Sequence, residues 1–266
     1  MERIYLDYAA TTPLDKRVLD AMMPYLTTEF GNPSNLHAFG QKARAAVQTA
    51  RDRVAAAIGA EGREILFTAG GTEADNLALF GYLRANHPEG GHLITTAVEH
   101  AAVLRSFEFL RTKGYDVTVL PVNKEGRVSI ESVKKALKED TVLVSIMAAN
   151  NETGVVQDMA GLVETVREAS GARRAADSGY VPVHSDAVAA LGKTPVDFRA
   201  WGLDAMTVTG HKLGAPIGIG ALVARRDLML VAPTGGGRQE RGVRSGSQDV
   251  VGARALALAV ELAVAE

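Results

Sequence analysis

The sequence predicts an α/β fold: a mostly parallel sheet of the seven-stranded type with helices on both faces. Three observations predict it. Seven short apolar runs alternate with longer stretches whose apolar residues recur at helical spacing. The run at 141–147 reads as a strand buried on both faces, as parallel strands are. The intervening helices are long enough to serve as right-handed crossovers between parallel strands.

The elements follow in order. Residues 36–58 carry Ala43, Ala46, Val47, Ala50, Val54 and Ala57 at helical spacing and form one long amphipathic helix. A strand at 64–67 leads into a helix at 72–83, with Ala74, Leu77, Ala78 and Gly81 on one face. A strand at 92–96, a helix at 101–112, a strand at 117–122 and a helix at 130–137 precede the buried strand at 141–147. A helix at 159–169 runs into Ser170 and the small, polar segment 171–179, whose composition suits a surface loop. Strands follow at 181–184, 205–208 and 218–224. The last stretch, 253–266, has Leu256, Leu258, Val260, Leu262 and Val264 and no clearly polar face, so it demands cover all round, from a partner or from sequence beyond it.

Composition bounds the partners. With 266 residues, 29 Lys and Arg against 31 acidic residues and a net charge of −2, nothing would draw the chain to a nucleic-acid backbone or an anionic membrane over a distance. The sequence has no cysteine, which removes disulfides, thiolate metal sites and cysteine nucleophiles. The first residues form no apolar leader, and no window approaches the roughly 18 apolar residues of a membrane helix. The expectation is a cytoplasmic protein.

In such a sheet ligands bind beyond the carboxyl ends of strands, and four places there carry candidate chemistry. Gly70-Gly71-Thr72 offers close backbone approach and free helix amides for an anion, or simply a turn with Thr72 as cap. His100 is an acid/base, a ring that stacks on a cofactor, or a capping residue. Asn150-Asn151-Glu152-Thr153-Gly154 is either a turn or a hydrogen-bonding platform, and Asp186 pairs with a buried cation or caps a helix. Lys212, in the Gly-rich stretch Thr209-Gly210-His211-Lys212, stands where desolvation favours the neutral amine that carbonyl chemistry needs.

Together these motifs resemble the class V aminotransferase family of pyridoxal-phosphate enzymes, and most closely its cysteine desulfurases. The resemblance runs from Tyr5-Leu6-Asp7-Tyr8-Ala9-Ala10-Thr11-Thr12-Pro13 through Gly31-Asn32-Pro33-Ser34, Gly71-Thr72-Glu73-Ala74-Asp75-Asn76 and Glu99-His100. It continues through Asn150 to Gly154, His184-Ser185-Asp186-Ala187 and Thr209 to Lys212, and ends at Glu240-Arg241-Gly242-Val243-Arg244-Ser245-Gly246-Ser247.

The resemblance implies the large domain of a fold type I pyridoxal-phosphate enzyme, in a homodimer. Lys212 would hold pyridoxal 5'-phosphate covalently, and Asp186 would pair with its ring nitrogen. His100 would stack on the ring and move protons, and Asn151 would contact cofactor and substrate carboxylate. Gly71, Thr72, Thr209 and His211 would hold the phosphate, with Ser247 added from the neighbouring subunit. The implied reaction converts L-cysteine to L-alanine and a persulfide, passed to an iron–sulfur scaffold or a tRNA-thiolation protein, with no metal. It implies residues 1–14 as an arm on the active-site side, 15–252 as the cofactor domain and 253–266 as the start of a linker helix. The family's attacking cysteine and substrate-clamping arginine lie in a C-terminal region beyond the last matching segment, so a truncated form is the expectation.

The sequence departs from the family at Ala189, where a cofactor-contacting glutamine is usual, and at Gly235-Gly236-Gly237-Arg238-Gln239, against a usual His-Gly-Gly-Gly-Gln. The segment 170–179 is longer than usual. The alternatives are a related class V enzyme, such as a selenocysteine lyase or a kynureninase-like or epimerase-like member, and a non-catalytic scaffold derived from the large domain.

Overall fold

A computed structural model describes residues 3–170 and 180–266; the loop expected at 171–179 lies outside the described residues. The chain runs α1 (Lys16–Thr27), α2 (Ala38–Ala57), β1 (Ile65–Thr68), α3 (Gly71–Asn86), β2 (His92–Thr96), α4 (Ala101–Thr112), β3 (Asp116–Leu120) and α5 (Ile130–Ala136). It continues β4 (Thr141–Ser145), α6 (Met159–Ser170), β5 (Val183–Asp186), β6 (Ala205–Thr209), β7 (Gly220–Ala224) and α7 (Val250–Ala265). The sheet has seven strands in the order β1-β7-β6-β5-β4-β2-β3. Strands β3, β2, β4, β5 and β6 pair in parallel, while β7 lies antiparallel to both β1 and β6.

Alternation along each strand sends side chains to two apolar layers. Val144, Val183, Met206 and Val208 pack with Val18 of α1, Val54 of α2, Leu162 of α6 and Leu256 of α7. Leu93, Leu143, Ala205 and Leu222 point the other way, against Leu77 of α3 and Phe107 of α4. This is the predicted α/β layering. Strand β5 begins two residues later than expected, because Pro182 has no amide to donate and only its carbonyl joins the sheet, accepting from Val144 N at 3.0 Å. The shift makes Asp186 the last residue of β5.

Helix α1 is absent from the elements expected from the sequence, although Val18, Leu19, Met22, Tyr25 and Leu26 recur at helical spacing and Pro24 does not break it; Asp15 caps its start by accepting from Arg17 N, and Val18 and Met22 are buried. It also corrects the reading of the C-terminal stretch. Helix α7 packs on α1 and α2, and Gly252, Ala253, Ala255, Leu256, Ala257, Ala259 and Val260 are all buried. Cover for this helix therefore comes largely from the chain itself, and Val264, at 51% exposure, is its open end. Among the described residues no helix is long and apolar enough to cross a membrane.

Candidate active site

The carboxyl ends of β5 and β6, the start of α3 and the loops after β2 and β4 enclose a cavity of about 430 Å³. Every residue to which the resemblance gave a role, except Ser247, lines it: Gly71, Thr72, His100, Asn151, Asp186, Thr209, His211 and Lys212. Ser247 is exposed in the segment between the Glu240 turn and α7 and does not line this cavity.

Each wall has a local cause. Strand β1 ends at Thr68, and Gly70, at φ 148, turns the chain into α3 in a conformation that a side chain would oppose. The first turn of α3 leaves amides without intrahelical partners, and Gly71 and Thr72 of that turn line the cavity. Across from them a Cβ on Gly71 would stand 3.1 Å from Val188 Cγ2, so this wall is as close as glycine permits. His100 caps α4, its Nδ1 accepting from Ala102 N at 3.2 Å, and it lines the cavity as well; capping and a site role coincide.

The Asn150–Gly154 motif divides its labour. Asn150 is the turn-former: its Oδ1 accepts from Glu152 N (3.0 Å), Thr153 N (2.8 Å) and Thr153 Oγ1 (2.9 Å), and its amide donates to Val98 O (2.9 Å). Asn151 is thereby left on the cavity wall.

Lys212 is half-buried on the loop after β6, and the N-terminal arm pins that loop. Thr12 N and Oγ1 donate to His211 O at 2.8 and 3.0 Å, and Thr12 Oγ1 accepts from Gly214 N at 2.8 Å. Thr11 Oγ1 lies 3.1 Å from His211 Nδ1. Burial, then the Lys212 charge, lowers the His211 imidazole below its ordinary value. Asp7, Ala9 and Ala10 of the arm close the cavity's outer side.

Opposite Lys212, Asp186 is 4% exposed and accepts from Val188 N at 2.9 Å. Burial raises its carboxyl, opposed by the Val188 amide and by the charges of His100 and Lys212. Such a carboxyl ionises readily once a cation enters the cavity.

Sequence reasoning missed the polar layer under this floor. Asp75 of α3, Glu99 after β2 and His184 of β5 are all buried. Glu99 Oε1 accepts from Thr96 Oγ1 (2.7 Å) and Met147 N (2.8 Å), tying the ends of β2 and β4 together. Burial pushes its carboxyl up to about 8. His184 sits between Ser145 Oγ (2.9 Å) and Thr207 Oγ1 (3.1 Å), and burial takes its imidazole down to about 3. Its Nε2 lies 3.6 Å from Asp75 Oδ1, but a neutral ring makes no ion pair. The signal that could have found Asp75 is a single carboxyl on the apolar face shared by Ala74 and Ala78.

Fold and cavity together define an α/β protein with a cavity at the carboxyl edge of its sheet, lined by a lysine, a buried aspartate and the start of a helix. The aminotransferase class-V family profile matches residues 4–264, and the chain belongs to that family. It is 47% identical over 263 residues to a cysteine desulfurase IscS of Anaeromyxobacter dehalogenans (strain 2CP-C), covering 98% of this chain and 63% of the relative. To the cysteine desulfurase IscS of Dictyoglomus turgidum it is 43% identical over 263 residues, covering 99% of this chain and 64% of the relative. A solved NifS-like protein superposes with a TM-score of 0.94 at 37% identity, covering 100% of this chain and 70% of that one. A structure described as SspA in complex with cysteine gives a TM-score of 0.91 at 37% identity, covering 97% of this chain and 72% of that one. The chain thus spans roughly two thirds of the relatives compared, from 63% of the Anaeromyxobacter protein to 68% of the IscS 1 relative of Bacillus subtilis (strain 168).

Proposed function

We propose that this chain is the cofactor-binding part of a pyridoxal-phosphate-dependent cysteine desulfurase that takes sulfur from L-cysteine and leaves L-alanine. The observation that carries the reading is one cavity that joins Lys212, Asp186, His100 and the free start of α3. That donor set fits an anionic, heteroaromatic aldehyde: an amine for its carbonyl carbon, a buried carboxylate for its ring nitrogen and helix amides for its phosphate. Relatives named as cysteine desulfurases, and a neighbouring structure described as a complex with cysteine, support the substrate.

Lys212 Nζ would hold the cofactor, on a loop that Thr11 and Thr12 keep in place. Asp186 would keep a proton on the ring nitrogen. Gly71, Thr72, Thr209 and His211 would bind the phosphate. His100 would stack its ring on the cofactor, and would move protons once its Nδ1 leaves the Ala102 amide that it now accepts from. Asn151 would orient the substrate carboxylate. The bound cofactor supplies an electron sink for the bonds at the amino-acid carbon.

In the net reaction the C–S bond of cysteine breaks, a thiolate takes the sulfur as a persulfide, and the carbon takes a proton to complete alanine. With no cysteine among its 266 residues, the thiolate comes from outside this sequence. Ser247 would serve the site of a second copy, in a homodimer whose arm, residues 1–14, closes the site and whose α7 leads toward a further domain. An iron–sulfur scaffold or a tRNA-thiolation protein in the cytoplasm would receive the sulfur. The test is spectroscopic: L-cysteine should shift the absorbance of the cofactor-loaded chain, and L-kynurenine should not. A response to L-kynurenine and none to L-cysteine overturns the substrate assignment.

A further inference from the structure

The floor of the cavity contains a second carboxyl that the proposed reaction leaves unused. Asp75 is 1% exposed and lines the same cavity as Asp186 and Lys212. Among the described residues its Oδ1 is a buried oxygen without a hydrogen-bond partner. The nearest basic group, His184 Nε2 at 3.6 Å, is already engaged by Thr207 and offers no charge. The other groups facing Asp75 make ionisation harder still: Asp186 from β5 and Glu99 from the loop after β2 are both acidic, and only the Thr207 hydroxyl of β6 favours the anion. Asp186 differs because it faces His100 and Lys212. Two buried carboxyls so placed do not ionise together; the one that accepts from the Val188 amide and has the Lys212 amine beside it does, and the other keeps its proton.

We infer that Asp75 is a positioning residue for Asp186: it stays a neutral carboxylic acid beneath the cofactor site, so that Asp186 is the single anion presented to the ring nitrogen. This rests on the cofactor reading proposed above. It gives a paired acid and anion from the same residue type, set apart by what each faces. When alkaline conditions finally ionise Asp75, its charge strengthens the hold of Asp186 on the ring-nitrogen proton. An amide at position 75 lacks that second stage.

Two measurements test the inference. In the cofactor-free chain at pH 7, the infrared difference between wild type and Asp75→Asn should show the carbonyl stretch of a protonated carboxylic acid lost in the variant. Asp75→Ser, a second neutral variant, should lose the same band. A difference spectrum showing a lost carboxylate band overturns the inference, and this arm needs no cofactor. In the loaded chain, pyridoxal phosphate labelled with ¹⁵N in the ring reports the ring-nitrogen proton directly. Wild type and Asp75→Asn should both be protonated at pH 7, with the midpoint of deprotonation lower in the variant by about one to two pH units, and Asp75→Glu should restore it. Superimposable profiles, including protonation in both to the alkaline limit of folding, overturn the inference. Failure of the cofactor reading shows itself separately, as wild type that forms no borohydride-stable adduct at Lys212.

Discussion

Replacing Glu99 by Gln should flatten the pH dependence of stability on the alkaline side. Glu99 is 6% exposed, and one of its carboxyl oxygens bridges Thr96 and Met147 while the other has no partner among the described residues. Burial raises the folded carboxyl from 4.5 to about 8. As pH rises, the unfolded chain releases this proton first. The stabilising contribution is therefore fully present below about 4.5 and is lost as pH climbs through about 8. Each unit between removes about 1.4 kcal/mol, so from pH 5 to pH 8 the wild type loses on the order of 4 kcal/mol that a residue unable to ionise does not. The amide keeps an acceptor for Thr96 and Met147 and puts unpaired N–H groups where the partnerless oxygen was, a pH-independent cost of about 1–3 kcal/mol. The slope, not the offset, carries the test. Urea unfolding of both proteins at pH 5, 6, 7 and 8 and constant ionic strength should show the difference growing with pH in favour of the variant. A difference that stays constant across that range refutes the buried-acid reasoning.

Other consequences are equally direct. Arg51 and Glu240, with side chains 7% and 1% exposed, form a buried ion pair that anchors the Glu240 turn to β1. Arg51→Met should cost about 3–5 kcal/mol in urea unfolding, and adding Glu240→Met should recover most of it. Thr12→Val removes the hydroxyl that bridges His211 O and Gly214 N. It should cost about 1–2 kcal/mol and weaken cofactor binding about five- to tenfold in an absorbance titration. Gly71→Ala places a methyl 3.1 Å from Val188 Cγ2 at the helix start. Cofactor affinity should fall about tenfold or more while the melting temperature moves little.

How much of this was readable in advance follows from sequence distance. Strands β2 and β6 and helix α4 were legible because apolar runs, turn residues and helical spacing are local signals. The antiparallel course of β7 was not, since direction depends on which strands become neighbours. Helix α1 was overlooked although Val18, Leu19, Met22 and Leu26 keep helical spacing through Pro24, and with it the reason why α7 can be apolar on so many sides. In the site, the residues that follow strands were legible as candidates. Asp75 and Glu99 were not read as parts of the site, and the arm was placed on the active-site side by resemblance alone, because their partners lie far along the chain: Thr12 meets His211 and Asp75 meets His184 only once the sheet is assembled. Two alternatives left open by residue type were also resolved by geometry, with Asn150 making the turn and Asn151 the wall.

The most direct test of the account is where the cofactor attaches. The chain should be mixed with pyridoxal phosphate, reduced with borohydride, digested and mapped by mass spectrometry, with Lys212→Ala in parallel. The account predicts one dominant adduct, on Lys212, absent from the variant and sensitive to Asp186→Asn. An adduct spread over surface lysines, or centred on Lys193 with Lys212 unmodified, would contradict it.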